Sequence, residues 1–286
     1  MKTKAFLIIL ALGLFTFIAC TKLKNLIESA STDLADDDAV TQVALDDVSN
    51  TTDYAISIME NLPGTIKGDQ VVLADSCPTI TITNPNTGVF PKTITIDYGT
   101  AGCTGYYGSS RKGKIIIVVT DKRSTVGATR TTTFASYYFN GIKVEGTHVL
   151  TTMALHGTNP VFSVTLTGGK LTLPDGKTIE RAVSHQREWT VGYATPRNIW
   201  DDEYLITGTA TGKGVNGNAY TNTILSALHW TRVCEFLVSG SIKFERTGVE
   251  PIVLDYGTGA CDAKATVSRG DQTKEITLRH KYRTMQ

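Results

Sequence analysis

The sequence predicts an all-β protein, a large antiparallel meander preceded by one short acidic helix. Three observations lead there. From residue 65 onward, segment after segment alternates apolar and polar residues, as in Thr79-Ile80-Thr81-Ile82-Thr83 and Lys92-Thr93-Ile94-Thr95-Ile96. That period of two, rich in β-branched residues, belongs to strands with one buried face. Turn residues punctuate the segments: Asn140-Gly141, Gly168-Gly169, Pro174-Asp175-Gly176 and Asn216-Gly217-Asn218. Three- and four-residue apolar spacing occurs before residue 62, where Leu34, Val40, Val43, Ala44 and Val48 recur among acids.

The elements follow in order. Residues 20–32 are polar and aperiodic and read as a flexible tether. Residues 33–62 read as an acidic helical neck, with Thr32 or Asp33 able to cap it and Pro63-Gly64 closing it. Its acids are expected on a solvated face, opposite one docked apolar stripe. Residues 65–286 then form one β domain. Beyond 79–83 and 92–96, strands are expected at 114–120, 131–139, 144–155, 161–167, 170–173, 177–187, 204–211, 218–225, 237–245, 252–255, 264–268 and 275–279. Short connections make successive strands antiparallel neighbours. Thr, Ser and Lys opposite the apolar positions leave one face wet, which suits an open curved sheet, a sandwich or a partial barrel. A transmembrane barrel would instead turn an apolar face outward.

An internal repeat organises the domain. Asp97-Tyr98-Gly99-Thr100-Ala101-Gly102-Cys103 recurs as Asp255-Tyr256-Gly257-Thr258-Gly259-Ala260-Cys261, within the units 77–120 and 234–280. Each copy follows a proline-bounded strand and has a second cysteine upstream, Cys77 or Cys234. Two units, each stapled within itself, would pair Cys77 with Cys103 and Cys234 with Cys261. Glycine after Asp-Tyr would supply a positive φ at the strand end; a ligand loop is the other reading of the motif.

Tests for catalytic chemistry return little. Gly176-Lys177-Thr178 lacks the earlier glycine of a phosphate loop and sits in a hairpin signal. Ser109-x-x-Lys112 lacks the companion elements of penicillin-binding enzymes. The five histidines are not at ligand spacing, and neither Asp36-Asp37-Asp38 nor Asp201-Asp202-Glu203 has the spacing of a calcium loop, so no metal or cofactor is expected. The densest unusual segment runs from Arg187 to Tyr204. It gathers Arg187, Trp189, Tyr193, Arg197, Trp200 and Asp201 around a proline-containing loop. Rigid rings beside charged groups suit binding of a glycan or peptide. The competing reading makes Trp189 and Trp200 core anchors and the acids a surface loop. Carboxylates at Glu188, Asp201, Asp202 and Glu203 leave a glycan hydrolase as an alternative.

Charge is unevenly placed. Of 27 acidic and 28 basic residues, nine acids and no Lys or Arg fall in 25–60, and four lysines precede that stretch. Residues 61–286 therefore hold 18 acids against 24 bases, a mild excess of +6 that does not suit nucleic acid.

The first nineteen residues have the layout of an export signal: Lys2 and Lys4, then an uncharged apolar run from Ala5 to Ala19. At about 15 residues the run is short of the roughly 20 that span a bilayer. Phe17-Ile18-Ala19-Cys20 resembles the lipobox of bacterial lipoproteins. That resemblance implies removal of 1–19, acylation of Cys20 and, with Thr21 following, placement in the outer membrane of the cell envelope. It also leaves the other four cysteines as an even set. Cys77-Pro78-Thr79-Ile80-Thr81-Ile82, Thr95–Thr100, Asn140–Gly146 and Tyr204–Ala210 resemble segments of uncharacterised outer-membrane lipoproteins of Bacteroidota. That resemblance implies an exported β-protein and assigns no catalytic residue. The first expectation is a non-enzymatic structural or binding module held by acyl chains, with a glycan or envelope protein as partner. A subunit that adds a strand to a partner sheet is the third option.

Overall fold

A computed structural model of the chain describes residues 37, 38, 40–62, 68, 70–72, 77–105, 108–195, 198–234 and 236–278. Cys20, the lipobox and the tether lie outside the described residues. One helix, α1, takes residues 40–60 together with 37 and 38. Fifteen strands follow. The first five are β1 (Gln70–Val72), β2 (Thr79–Thr83), β3 (Lys92–Asp97), β4 (Cys103–Thr104) and β5 (Ser110–Val119). The long middle strands are β6 (Thr129–Phe139), β7 (Ile142–His156), β8 (Asn159–Thr172), β9 (Thr178–Val191), β10 (Glu203–Lys213) and β11 (Ala219–Thr231). The last are β12 (Ser239–Arg246), β13 (Val249–Thr258), β14 (Lys264–Arg269) and β15 (Gln272–Thr277). Apart from β4, which pairs β5 alone, each strand lies antiparallel beside its neighbours in sequence, in one open sheet. The fold is the expected meander.

Turn chemistry sets the registers. Asn140 and Gly141 both take positive φ, 49° and 79°, between Phe139 and Ile142, which pair directly; this is the two-residue hairpin whose twist matches the strands. Two expectations shift. Segments 161–167 and 170–173 are one strand, β8, with a register shift between Leu166 and Gly169. Gly168 and Gly169 act there as a bulge rather than a turn. A Cβ on Gly169 would collide with the Arg181 carbonyl and the Leu166 side chain.

The second shift concerns α1. At about 100° per residue, Asp38, Asp46, Asp53 and Glu60 fall within about 80° of arc, and Val40, Ala44, Val48, Ala55 and Met59 lie on the far side. The apolar stripe packs into a core with Ile80, Ile82, Ile94, Ile96, Ile115 and Ile117. The acidic stripe, expected in water, is also covered. Asp38 meets Arg181 on β9 at 2.5 Å and Tyr256 on β13 at 3.5 Å, while Asp47, outside that stripe and beside the apolar one, pairs with Arg111 on β5. Strands β5 and β13 are eight steps apart in the sheet order. Flat, those steps would cover about 38 Å, yet one helix about 10 Å across touches both. The sheet is therefore rolled around α1, and the neck segment forms the filling of the roll. A second core, with Leu150, Phe162, Trp189, Tyr204, Trp230, Phe244 and Leu254, lines the part of the roll that faces the acids.

The roll has two distinct ends. Asp37 accepts from the Val215 amide in the β10–β11 turn, so α1 begins at the end bearing the β6–β7, β8–β9, β10–β11 and β12–β13 turns. Glu60 pairs with Arg123 in the β5–β6 loop at 2.7 Å, so α1 finishes at the opposite rim. The disulfides Cys77–Cys103 and Cys234–Cys261 form as the repeat predicts, with Cα separations of 5.7 and 5.5 Å. Each motif's aspartate accepts from the amide two residues on, Asp97 from Gly99 and Asp255 from Gly257, both at 2.8 Å. Both glycines have positive φ. The two copies run in opposite directions, so one staple closes each end.

Candidate functional site at the helix C-terminal rim

Strand alternation puts Arg187 and Trp189 on the inner face of β9 and brings Tyr204 of β10 and Trp230 of β11 beside them. Trp189 is 2 % exposed and packs between Tyr193, edge-on, and Tyr204, tilted, with ring centres at 5.2 and 5.4 Å. Tyr204 continues the row to Trp230 at 5.3 Å. The Arg187 guanidinium lies 3.5 Å over the Tyr204 ring and bonds Asp53 of α1 at 2.5 Å. Asp53 also accepts from Arg130 at 2.8 Å and Tyr204 at 3.3 Å. Burial alone would raise the Asp53 carboxyl, but Arg187 and Arg130 hold it far below its usual range. Arg123 covers this layer, 4.9 Å from the Trp189 ring.

Asp46 sits one helical stretch earlier. Gln42 donates to it at 2.9 Å and the Trp230 indole also donates. Burial nevertheless outweighs these bonds and the Arg187 charge, and pushes its carboxyl up to about 7. His148 on β7 and His185 on β9 are depressed to about 4 and about 3, first by burial and then by Arg187 and Arg181 respectively. Both are neutral bases at ordinary pH.

Outside the buried layer, the β9–β10 connection carries a short 3-10 turn, Ile199–Asp201, capped by Asn198, whose side chain accepts from the Trp200 amide at 3.2 Å. Trp200 is 44 % exposed, with the Arg232 guanidinium 5.7 Å from its ring. Thr195 donates to Asp201 at 2.6 Å. Asp202 turns inward, is buried, and is raised to about 7 by burial and then by the nearby Asp53 charge.

Of the six residues singled out from the sequence, Arg187, Trp189 and Tyr193 come together in the interior, Trp200 and Asp201 lie at the rim surface, and Arg197 lies outside the described residues. Trp189 is a core anchor; Trp200 is not. The carboxylates of the segment diverge. Glu188 pairs with His156 at 2.9 Å and Glu203 with His229 at 2.8 Å, both partly exposed, while Asp202 faces the core. Asp46, Asp53, Arg123, Arg130, Arg181 and Arg232 were missed from sequence. Their signal was the opposite charge of segments 25–60 and 61–286, two halves of one internal salt-bridge system.

Elsewhere, an open cleft of about 660 Å³ near the opposite end is lined by Lys170, Glu180, Lys213 and Glu245, with the Lys213–Glu180 pair at 3.3 Å. No group of three metal-ligating side chains occurs among the described residues, and none of their helices is long and apolar enough to cross a membrane. No family model matches the chain, and no curated protein or solved structure matches it.

Proposed function

We propose that this chain is a lipid-anchored protein of the cell envelope, held in the outer membrane through acyl chains on Cys20, that works as a non-enzymatic structural or binding module. The address rests on the lipobox-like Phe17-Ile18-Ala19-Cys20 behind an export signal. The observation that carries the non-enzymatic reading is where the reactive side chains are spent. Arg187 is engaged by Asp53, Trp189 is core, and Glu188 and Glu203 each hold a histidine. The surface offered to a glycan or envelope-protein partner is the rim around the exposed Trp200. Mass spectrometry of the mature N-terminus should find an acylated Cys20; a free or unprocessed N-terminus would remove the address. A Trp200 fluorescence change on adding glycans, without product release, would support binding.

One observation favours a second reading, a carboxylate-dependent hydrolase. The Asp202 carboxyl, raised to about 7 beneath the exposed loop, has the protonation of a general acid. Hydrolysis of a glycan panel that Asp202→Asn abolishes would establish it.

A further inference from the structure

The two ends of the roll differ in what they show to solvent. At the rim where α1 finishes, nearly every connection exposes a large apolar side chain. Val126 stands on the β5–β6 loop, Met153 and Leu155 lead into the β7–β8 turn, Val191 and Trp200 flank the β9–β10 loop, and Val233 lies between β11 and β12. Val126 and Val233 are 60 % and 69 % exposed. At the opposite end Val249 is the one such residue among the described ones. The strand ends there carry the Lys–carboxylate pairs Lys143–Glu145, Lys177–Asp175 and Lys213–Glu180, against the single pair Lys264–Glu275 among the described residues at the rim. Single exposed hydrophobes are ordinary on any protein. Their collection on one end is not, and marks a surface that is covered in use.

From this polarity we infer that the rim is a membrane-resting surface, which lays the domain on a lipid bilayer through separate apolar loop tips. For its orientation the inference rests on the lipid-anchored reading. The occupant follows from the form of the patch and the reach of the chain. The apolar groups project singly from successive loops instead of lining a groove, and Trp200 sits under a guanidinium, the amphipathic pairing suited to a headgroup layer. The tether enters at the far end of α1. With the neck helical from residue 33, as the sequence predicts, the helix to residue 60 covers about 41 Å, whereas the thirteen steps from residue 20 to residue 33 can reach about 43–47 Å when extended. The rim can therefore rest on the same bilayer that would hold acyl chains on Cys20.

The test uses the chain from residue 20, which keeps every described residue, with Cys20→Ser so that it carries no acyl group. It is mixed with vesicles of phosphatidylethanolamine and phosphatidylglycerol, and sedimentation and quenching by bromine-labelled lipid acyl chains are read. The expected result is vesicle binding with quenching that Trp200→Phe removes. Val126→Asp with Val233→Asp should lower the bound fraction at least about tenfold while the unfolding temperature stays unchanged. Absence of binding at millimolar lipid overturns the inference, as does a double variant that binds as well as its parent. A particle that self-associates and becomes monomeric in the double variant, without touching vesicles, overturns it in favour of a protein contact. Because this chain is not acylated, the outcome is separate from whether Cys20 is lipidated in the cell.

Discussion

Among the described residues Asp53 gathers the most buried charge, with Arg187, Arg130 and the Tyr204 hydroxyl on its two oxygens. Removing the charge would leave two interior guanidiniums uncompensated, so Asp53→Asn should cost about 3–5 kcal/mol in urea unfolding. Asp53 is held below its unfolded value, so its contribution is present above about pH 4 and is lost as pH falls further. Asp46 works in the other sense. Its carboxyl is raised to about 7, so the neutral form suits the fold, and stability declines as pH rises from about 4 toward about 7. Asp46→Asn should therefore stabilise the protein at pH 8, by an amount on the order of 2 kcal/mol, and have little effect at pH 4. Asp202, also raised to about 7, acts in the same sense as Asp46. His148 and His185, depressed to about 4 and about 3, oppose the two carboxyls between about pH 4 and 6.5. Protonating the histidines in the unfolded chain draws stability away as pH falls. The pH slope of the parent between 4.5 and 6 should thus be shallow, and His148→Gln should steepen it, which calorimetry across pH would reveal. None of these partners could be named from sequence. Asp46, Asp53 and Arg130 look like ordinary surface charges, and Arg187 like a ligand-binding one, until the strands carrying the arginines are placed around the helix.

Among the elements, the strands were the most legible. Alternation located their centres because a half-buried strand needs an apolar residue at every second position. It erred at Gly168-Gly169, since two glycines serve a bulge as well as a turn and only the neighbouring strand's Arg181 decides between them. The repeat was equally legible, because Asp-Tyr-Gly with a matched upstream cysteine is a local device that needs no long-range information. Each bridge closes a loop of 26 or 27 residues, so replacing Cys77 and Cys103 by Ala should lower stability by about 3 kcal/mol, with the sheet order retained by circular dichroism. Gly169→Ala should cost about 1–3 kcal/mol, because backbone rather than a flexible side-chain end blocks the new methyl. The helix was found where expected, but its environment was not. Amphipathic periodicity distinguishes two faces and cannot say that the polar one meets arginine instead of water.

For the whole molecule, rolling the sheet around α1 turns the segment next to the proposed anchor into part of the core. A pull on the tether is then borne by the helix inside the sheet, through Asp38–Arg181, Asp53–Arg130 and Asp53–Arg187. Those pairs are buried and poorly screened. Raising salt from 0.05 to 1 M should accordingly leave the urea midpoint almost unchanged, whereas a helix held by surface ion pairs would loosen.

The sequence by itself determined the fold class, the single helix, the strand order and the disulfide pairing, because alternation, turn residues and a short repeat are local and each strand pairs with its neighbour in the chain. Tertiary structure alone decided that the acidic segment lies inside, that Arg187 and Trp189 are structural while Trp200 is at the surface, and that apolar loops share one rim. Those outcomes depend on how far the sheet rolls, and the roll follows from bulges and from a helix whose two faces, apolar and acidic, are satisfied by strands eight places apart.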